Sequence, residues 1–263
     1  MTIEEVLLIL NSLIYSGSIN DNPQLVGMDL YTIINEGINK PGGEFFPEVE
    51  WNALLETVKQ NEGYFSNIII NDVEHEKGAQ KNVCFSNLNT GETYVAFKGT
   101  DTLEWHDNAE GGLATVSDTP QQLNALAYID KISLTYDNII VSGHSKGGNK
   151  AQYVAILSDY VVQAFSFDGQ GMGTGFLINY AELIKKNNYK ITSICNRGDF
   201  VNVLFSNIAG ENIFVDNNLE LSDVLSSLNL HDFAYQHSPL SMFEIVDGQV
   251  QMCNNEGGLI KMK

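Results

Sequence analysis

The spacing of apolar residues near the start of the chain predicts helices. Apolar side chains recur at intervals of three and four residues, the spacing of one helix face, at Val6, Ile9, Leu10, Leu13 and Ile14. The preceding residues 2–5, Thr-Ile-Glu-Glu, have the form of a capping box, which satisfies backbone N–H groups at a helix start. The chain is therefore expected to open with an amphipathic helix. A second helix is predicted around residues 51–58, after a polar and glycine-rich stretch that runs through residues 41–43.

From Tyr64 onward the apolar runs become shorter and richer in β-forming residues. Three such runs, 67–73, 82–86 and 93–97, predict an antiparallel meander, and Asn89-Thr90-Gly91 supplies a turn between the last two. A helix is then expected after Pro120. Beyond it strands and helices alternate, over residues 138–142, 146–158, 161–167, 176–187 and 190–195. This alternation is typical of right-handed βαβ crossovers and a parallel sheet.

The last part of the chain predicts a helix near residues 222–228 and a closing hairpin. The two strands of the hairpin are 242–246 and 249–252, and Asp247-Gly248 forms the turn between them. The whole pattern predicts an α/β fold. It has a central, mostly parallel sheet with helices on both faces, antiparallel strands at the N-terminal side and a C-terminal hairpin.

The composition is that of a globular protein. Hydrophobic residues make up 43% of the 263 residues and charged residues 18%, which argues against a disordered chain or a repeat array. One domain is expected over residues 1–263, with a helical part at 1–63 and a core at 64–253. No run of about 18 apolar residues occurs, and the acidic start is unlike a signal peptide, so we expect a cytoplasmic protein without a stable membrane anchor.

Acidic residues outnumber basic ones by 33 to 14, which gives a formal net charge of -19. Such a surface repels phosphate backbones and anionic lipid headgroups, so nucleic acid is excluded as an expected partner. The charge serves solubility or, alternatively, favours neutral or cationic substrates. The three cysteines, Cys84, Cys195 and Cys253, are odd in number and far apart, which predicts buried free thiols rather than disulfides or a zinc site.

Residues 143–147, Gly-His-Ser-Lys-Gly, match the Gly-x-Ser-x-Gly pattern of a nucleophile elbow. In an elbow the serine takes a strained backbone conformation between a strand and a helix, and the flanking glycines let those two elements approach each other. The pattern alone is weak, because glycine and serine are common. Here an apolar run, 138–141, leads into it and a helix-compatible run, 150–155, leads out. Ser145 is therefore the candidate nucleophile.

A serine nucleophile needs a histidine base and an acid that orients the histidine. In α/β-hydrolases the chain order is serine, acid, histidine. That order makes His231 and His237 the candidate bases. Asp168 and Asp199 are the candidate acids, since each follows a predicted strand at the carboxyl edge of the sheet, where active-site residues collect. For one of these two aspartates, the ordinary role of a turn or helix N-cap residue must hold.

Two other segments only partly match known binding loops. Residues 169–175, Gly-Gln-Gly-Met-Gly-Thr-Gly, follow a strand and precede a helix, but they fail the spacing of a dinucleotide loop. Residues 216–220 lack the spaced carboxylates and the glycine of a calcium loop. No cofactor and no metal are therefore expected, and the glycine-rich segment is interpreted as a pocket loop next to the elbow.

Several separated motifs together resemble the class 3 lipases, a group of α/β-hydrolases, and more closely a bacterial lipase-like branch with a Gly-His-Ser-Lys-Gly-Gly elbow. Residues 95–101, Val-Ala-Phe-Lys-Gly-Thr-Asp, are similar to the oxyanion strand of that family. Residues 196–201, Asn-Arg-Gly-Asp-Phe-Val, resemble its acid segment, and residues 237–239, His-Ser-Pro, resemble its terminal histidine segment. The resemblance covers residues 64–250.

The resemblance implies an α/β-hydrolase fold and an ester-cleaving, lipase-like or esterase-like activity. It also implies a triad of Ser145, Asp199 and His237, which favours His237 over His231 and Asp199 over Asp168. The expected oxyanion hole consists of backbone N–H groups of Lys146, at the positive end of its helix, and of Thr100.

The expected substrate is a small acyl ester or a lipid. The candidate substrate-binding residues border the predicted site and are Asp101, Trp105, His144 and Gln170. Residues 101–120 predict either a mobile flap over the nucleophile or a fixed surface helix. Lysines at positions 98 and 146 depart from the lipase pattern, which has arginine and an apolar residue there, and argue against a triglyceride substrate range.

Two functions from other classes stay open at the level of the sequence. An acyltransferase would use the same three residues and differ only in whether an alcohol or water reaches the acyl-enzyme. A catalytically silent binding protein would keep the fold without the reaction, since fold does not imply function.

Overall fold

The computed structural model describes residues 1–42, 45–74, 81–99, 117–217 and 235–253. Seven strands form one sheet, in which they lie side by side in chain order. The strands of this sheet are β1 (Ile68–Val73), β2 (Val83–Asn87), β3 (Glu92–Phe97), β4 (Ile139–His144), β5 (Val161–Phe167), β6 (Ile191–Asn196) and β7 (Glu211–Val215). A separate hairpin consists of β8 (Phe243–Val246) and β9 (Gln249–Met252).

The sheet has the mixed topology that the sequence predicts. Strands β1, β2 and β3 pair antiparallel, whereas every pair from β3 to β7 is parallel. With helices on both faces and the C-terminal hairpin, this is the α/β-hydrolase fold, and the predicted fold class is confirmed. In a parallel sheet the loops that follow the strands meet at one edge, where ligand sites collect.

Helices cover both faces of the sheet. They are α1 (Ile3–Leu13), α2 (Gly17–Asn20), α3 (Leu30–Glu36), α4 (Glu48–Gln60), α5 (Glu62–Phe65), α6 (Pro120–Ser133), α7 (Lys146–Leu157), α8 (Thr174–Asn179) and α9 (Ala181–Asn187). Short 3₁₀ turns lie at Pro23–Leu25, Asn188–Lys190 and Pro239–Met242. None of the helices in these described ranges has both the length and the apolar character that crossing a membrane requires.

Alternate residues of β4 show how the two faces are filled. Ile140 belongs to the core cluster that contains the apolar residues of the N-terminal helices α1, α3 and α4, whereas Ile139 and Val141 belong to a second cluster with residues of α6 and α7. Successive side chains of a strand point to opposite faces, so the buried strand is apolar throughout. The elbow serine follows directly at the end of β4 and therefore rests on a strand that is packed on both sides.

Local signals of the first helix and of the closing hairpin are confirmed. The Thr2 backbone N–H donates to Glu5 Oε2 at 2.8 Å, and the Glu5 N–H donates to Thr2 Oγ1, which completes the capping box of α1. Asp247 and Gly248 both have positive φ, 51° and 80°. This is the backbone geometry of the type I′ turns that suit two-residue hairpins.

Several elements differ from the sequence prediction. The predicted helix over 176–187 is two helices, α8 and α9, because Tyr180 leaves the helical conformation between them. Helix α3 lies between the two predicted N-terminal helices, where the sequence predicts only a polar and glycine-rich stretch, and strand β7 is not predicted by the sequence. The predicted helix near 222–228 lies outside the described residues.

Candidate active site

Ser145 occupies the turn between β4 and α7 with φ 59° and ψ −124°, a conformation that non-glycine residues rarely adopt. Close backbone contacts require glycine at both Gly143 and Gly147. A Cβ on Gly143 would run into the backbone of Gly147, and a Cβ on Gly147 would run into the carbonyl of Phe97. The strand and the helix approach so closely that the serine is lifted to the sheet edge, where it is the one residue of this turn that is not buried.

The side chain of His237 bridges Ser145 and Asp199. Its Nε2 lies 2.8 Å from Ser145 Oγ, and its Nδ1 lies 2.6 Å from Asp199 Oδ2. A carboxylate only accepts hydrogen bonds, so Nδ1 carries the proton and donates to Asp199, while Nε2 accepts from the serine hydroxyl. In this tautomer the ring is ready to take the serine proton.

Asp199 is held from behind by its own loop. Its residue is 1% exposed, and its Oδ1 accepts from the backbone N–H of Val201 at 2.7 Å and of Asn202 at 2.9 Å. One carboxylate oxygen therefore fixes the loop after β6, and the other faces the imidazole.

The second candidate acid, Asp168, points elsewhere. It follows β5 with φ 43°, and its Oδ1 accepts from the backbone N–H of Asn196 at 2.7 Å and from Asn202 Nδ2 at 3.1 Å. Complete burial, followed by the nearby charge of Asp199, raises the pKa of Asp168 well above its usual value. Of the two candidate acids, Asp199 is the one that the structure brings to His237.

His144 lies behind His237 rather than in an open pocket. Its ring centre is 4.8 Å from that of His237, and its Nδ1 lies 3.0 Å from the hydroxyl of Tyr15. Its residue has 0% exposed surface. Burial, followed by the charge that His237 can carry, holds the pKa of His144 well below its usual value, so this ring stays neutral. No surface of His144 is available for direct substrate contact in this conformation.

Aromatic rings from the N-terminal part of the chain line the same side of the site. We call Tyr15, Phe45 and Phe46 the aromatic wall, in which the three ring centres lie 5.1 to 6.2 Å apart. Phe45 is also 5.8 Å from the His237 ring and is half-buried. The centre of the Phe200 ring also lies 5.5 Å from that of His237. The aromatic wall was not predicted from the sequence.

Two further predicted site residues, Lys146 and Gln170, lie in the described part of the chain, and four others lie outside it. Lys146 begins α7 directly after Ser145, so its backbone N–H lies at the positive end of that helix. Gln170 is buried in the loop after β5, where its backbone carbonyl accepts from Gln152 Nε2 at 3.0 Å. The predicted residues Thr100, Asp101, Trp105 and His231 lie outside the described residues.

Gly99, which precedes Thr100, lies close to the turn that carries Ser145. A Cβ on Gly99 would lie 3.4 Å from Ser145 Cβ and 2.9 Å from the carbonyl oxygen of His144. The chain that follows β3 therefore runs directly beside the turn that carries Ser145.

The cysteines are buried free thiols, as predicted. Burial raises the pKa of Cys84 and of Cys195 to about 12, so neither is a thiolate near neutral pH. Within the described ranges, no group of three or more histidine, cysteine or acidic side chains could hold a metal ion.

Comparisons with known proteins give a family and a structural neighbour. The family model described as Mbeg1-like matches residues 63–223. The crystal structure of the Lip2 lipase from Yarrowia lipolytica is similar to this chain at 15% sequence identity, over 82% of each chain, with a TM-score of 0.44. A search of curated proteins finds no significant match.

Proposed function

The chain belongs to the Mbeg1-like family, and on that premise we propose that it is a serine hydrolase of the lipase and esterase type. The family is similar to the class 3 lipases. The observation that carries the proposal is the hydrogen-bonded series from Ser145 Oγ through His237 to Asp199, with 2.8 Å and 2.6 Å between the paired atoms. It begins on a serine held at an elbow, which is the arrangement that makes a hydroxyl nucleophilic.

In the proposed reaction Ser145 Oγ attacks the ester carbonyl carbon while His237 Nε2 takes the hydroxyl proton. The protonated imidazole then gives this proton to the leaving alcohol, and the acyl group stays on Ser145. Water repeats the sequence and releases the acid. Asp199 holds the Nδ1 proton and stabilises the positive charge that the ring carries in each step.

The negative charge on the carbonyl oxygen needs donors on the far side from His237. We assign this role to the Lys146 backbone N–H, at the start of α7, and to Thr100, which follows Gly99 beside the elbow. Loss of one such donor costs about 100-fold to 1000-fold in turnover in serine hydrolases.

The surroundings of His237 favour an apolar substrate group. The ring centres of Phe45 and Phe200 both lie within 6 Å of the imidazole centre. Aromatic side chains offer a large apolar contact area, so an acyl ester with an apolar chain fits better than a charged one. Substrate contacts by Asp101, Trp105 and Gln170 belong to the same proposal, as do the single domain and the cytoplasmic location expected from the sequence.

Labelling with a fluorophosphonate probe tests this function directly, because the probe reacts only with an activated serine. The wild-type protein is expected to be labelled, and peptide mass spectrometry is expected to find the label on Ser145. Ser145→Ala should not be labelled, and His237→Ala should lose nearly all labelling because the base is gone. His231→Ala is the matched control and should be labelled like the wild type.

Two outcomes would contradict the proposal. The first is a folded wild-type protein that is not labelled by the probe and cleaves no ester in a panel from acetyl to long-chain esters. Such a protein is not a serine hydrolase. Loss of labelling in His231→Ala but not in His237→Ala would move the base to the other histidine. An added alcohol acceptor in the same assay distinguishes acyl transfer from hydrolysis by its products.

A further inference from the structure

A single asparagine connects Asp168, the aspartate without a part in the proposed mechanism, to the triad acid. Asn202 donates its backbone N–H to Asp199 Oδ1 at 2.9 Å and its side-chain Nδ2 to Asp168 Oδ1 at 3.1 Å. The same Nδ2 donates to the Asn196 carbonyl at 2.9 Å, and Asp168 Oδ1 also accepts the Asn196 backbone N–H at 2.7 Å. Both ends of the loop that carries Asp199 are thus bound to Asp168.

We propose that Asp168 is a positioning residue, which holds residues 196–202 and through them keeps Asp199 in register with His237. This inference rests on the proposed hydrolase function and adds a residue to it. Asp168 makes no described contact with His237 or with Ser145 Oγ, so its effect passes through the loop. The Val201 and Asn202 amides hold Asp199 Oδ1, and a shift of that loop would carry Oδ2 away from the imidazole.

The surroundings of Asp168 suit a neutral carboxylic acid. Its Oδ2 has no hydrogen-bond partner and its carboxyl group has no cationic partner within the described part of the chain. An ionised carboxylate buried in this way loses its hydration without compensation. The titratable groups that face it are Asp199, in the loop after β6, and Cys195, on β6 itself. Burial and the charge of Asp199 both raise the pKa of Asp168.

A neutral acid in this role acts as a hydrogen-bond acceptor through Oδ1. An amide oxygen can do the same, so the predicted requirement is for shape and acceptor rather than charge. Its backbone conformation adds a second requirement. At φ 43° aspartate, asparagine and glycine are tolerated better than other residues.

Three variants test the inference by steady-state kinetics with a soluble acyl ester. Asp168→Gly removes the carboxyl group and suits the positive φ. It is expected to lower kcat on the order of 100-fold, the cost of a small misplacement of catalytic groups, with KM changed by less than about threefold because Asp168 does not touch substrate. Asp168→Asn is expected to keep kcat within about threefold of wild type, since its amide oxygen supplies the same acceptor.

Asn202→Ala removes the link without changing either aspartate and is expected to behave like Asp168→Gly. Asn202→Ala decides the question if Asp168→Gly does not fold. Asn187→Ala is the control for the loss of an asparagine side chain, because the buried Asn187 also donates its side-chain Nδ2 to a backbone carbonyl, that of Ile156, far from the site. It should lower the unfolding temperature and leave kcat unchanged.

The pH–rate profile separates positioning from a general loss of structure. A looser Asp199 stabilises the protonated imidazole less, so the acid limb of kcat/KM should move to lower pH in Asp168→Gly and in Asn202→Ala. It should stay in place in Asp168→Asn and Asn187→Ala. Wild-type kcat and an unmoved acid limb in Asn202→Ala would overturn the inference, as would a loss in Asp168→Asn as large as that in Asp168→Gly.

A second measurement needs no activity and keeps the inference separate from the proposed function. A carboxyl group whose pKa is raised on folding stabilises the protein below its unfolded pKa of about 4 and loses this stabilisation as pH rises. Asp168→Asn removes the loss, so its unfolding temperature should exceed that of wild type by more at about pH 7.5 than at about pH 4. An equal difference at both values would show an ionised Asp168, against the inference. Failure of the wild type to react with the serine probe would instead reject the hydrolase proposal.

Discussion

The elbow and the aromatic wall meet at the same histidine, yet they are built in different ways. At the elbow, backbone lies against backbone, so that neither Gly143 nor Gly147 has room for a single added carbon. In the aromatic wall, side chains from a distant part of the sequence pack at ring-centre distances of 5 to 6 Å. Backbone contacts demand particular residues at particular spacings, whereas ring contacts accept many apolar side chains. The difference suggests that the elbow determines the chemistry and that the wall adjusts the substrate.

The largest effect is expected at the proposed nucleophile. Ser145→Gly should lower kcat for ester cleavage by about a millionfold, as loss of the serine does in triad enzymes. The same change should raise the free energy of unfolding by about 1 kcal/mol, because glycine relieves the strain at φ 59°. Ester turnover and urea denaturation measure the two quantities. A variant that is both inactive and less stable would show that the elbow is not strained.

The second-largest effect is expected where the helix α7 lies close to the neighbouring strand. Gly147→Ala should cost about 3 kcal/mol or more of unfolding free energy, since its Cβ would meet the Phe97 carbonyl and backbone cannot move aside cheaply. Gly63→Ala is the matched control, because Gly63 also lies in a helix, α5, but has open space around it. It should stabilise the protein by about 0.5 to 1 kcal/mol. Equal effects of the two substitutions would show that Gly147 has room for a methyl group, against the close backbone contact described at the elbow.

A smaller effect is expected in the wall. Phe45→Ala should lower kcat/KM about tenfold for esters with long apolar acyl chains, since a lost aromatic contact costs on the order of 1 kcal/mol. The kcat/KM for acetyl esters and the extent of probe labelling at Ser145 should change little. The control is Tyr189→Ala, which removes an exposed aromatic ring. If Phe45→Ala lowers kcat/KM equally for all esters, the wall supports His237 rather than selecting the substrate.

The smallest expected effect is on the pH dependence of stability. It comes from His144, which contacts Tyr15 in the aromatic wall and also contacts His237. Its pKa is lowered on folding, so its stabilising contribution is present above the unfolded pKa of about 6.5 and is lost as pH falls. The free energy of unfolding should decrease by about 1 kcal/mol from about pH 6.5 to 5.5 through this one group. Chemical denaturation of His144→Asn at both values should show a weaker dependence on pH; an unchanged dependence would assign the effect to other groups.

The same contrast explains what could be predicted from the sequence. The strands, the elbow and the hairpin turn are specified by neighbouring residues, so their positions follow from periodicity and from glycine, serine and aspartate at fixed spacings. Helix α3 buries only Leu30, Ile33 and Ile34 and is too short for a clear period. Strand β7 lies at an edge of the sheet and is mostly half-exposed, so its pattern is weak as well.

The site itself was predictable in part. The residues alone left Asp168 and Asp199 as equal candidates, because both follow parallel strands at the same sheet edge. The resemblance to the class 3 lipases favours Asp199, but the physical distinction is the direction of each side chain, which depends on loop contacts such as those of Val201 and Asn202. Phe45 approaches His237 across almost 200 residues of chain, and no local pattern reports such a contact.

The closing hairpin packs against the first helices. The Val250 N–H donates to Thr57 Oγ1 at 2.8 Å, and the Met252 N–H donates to Glu5 Oε1 at 3.3 Å. During synthesis on the ribosome, the elbow emerges about 90 residues before His237, and α1 emerges long before the strands that cover it. The growing chain therefore carries Ser145 before its hydrogen-bond partner His237 is made, and the apolar helix α1 before the strands that cover it.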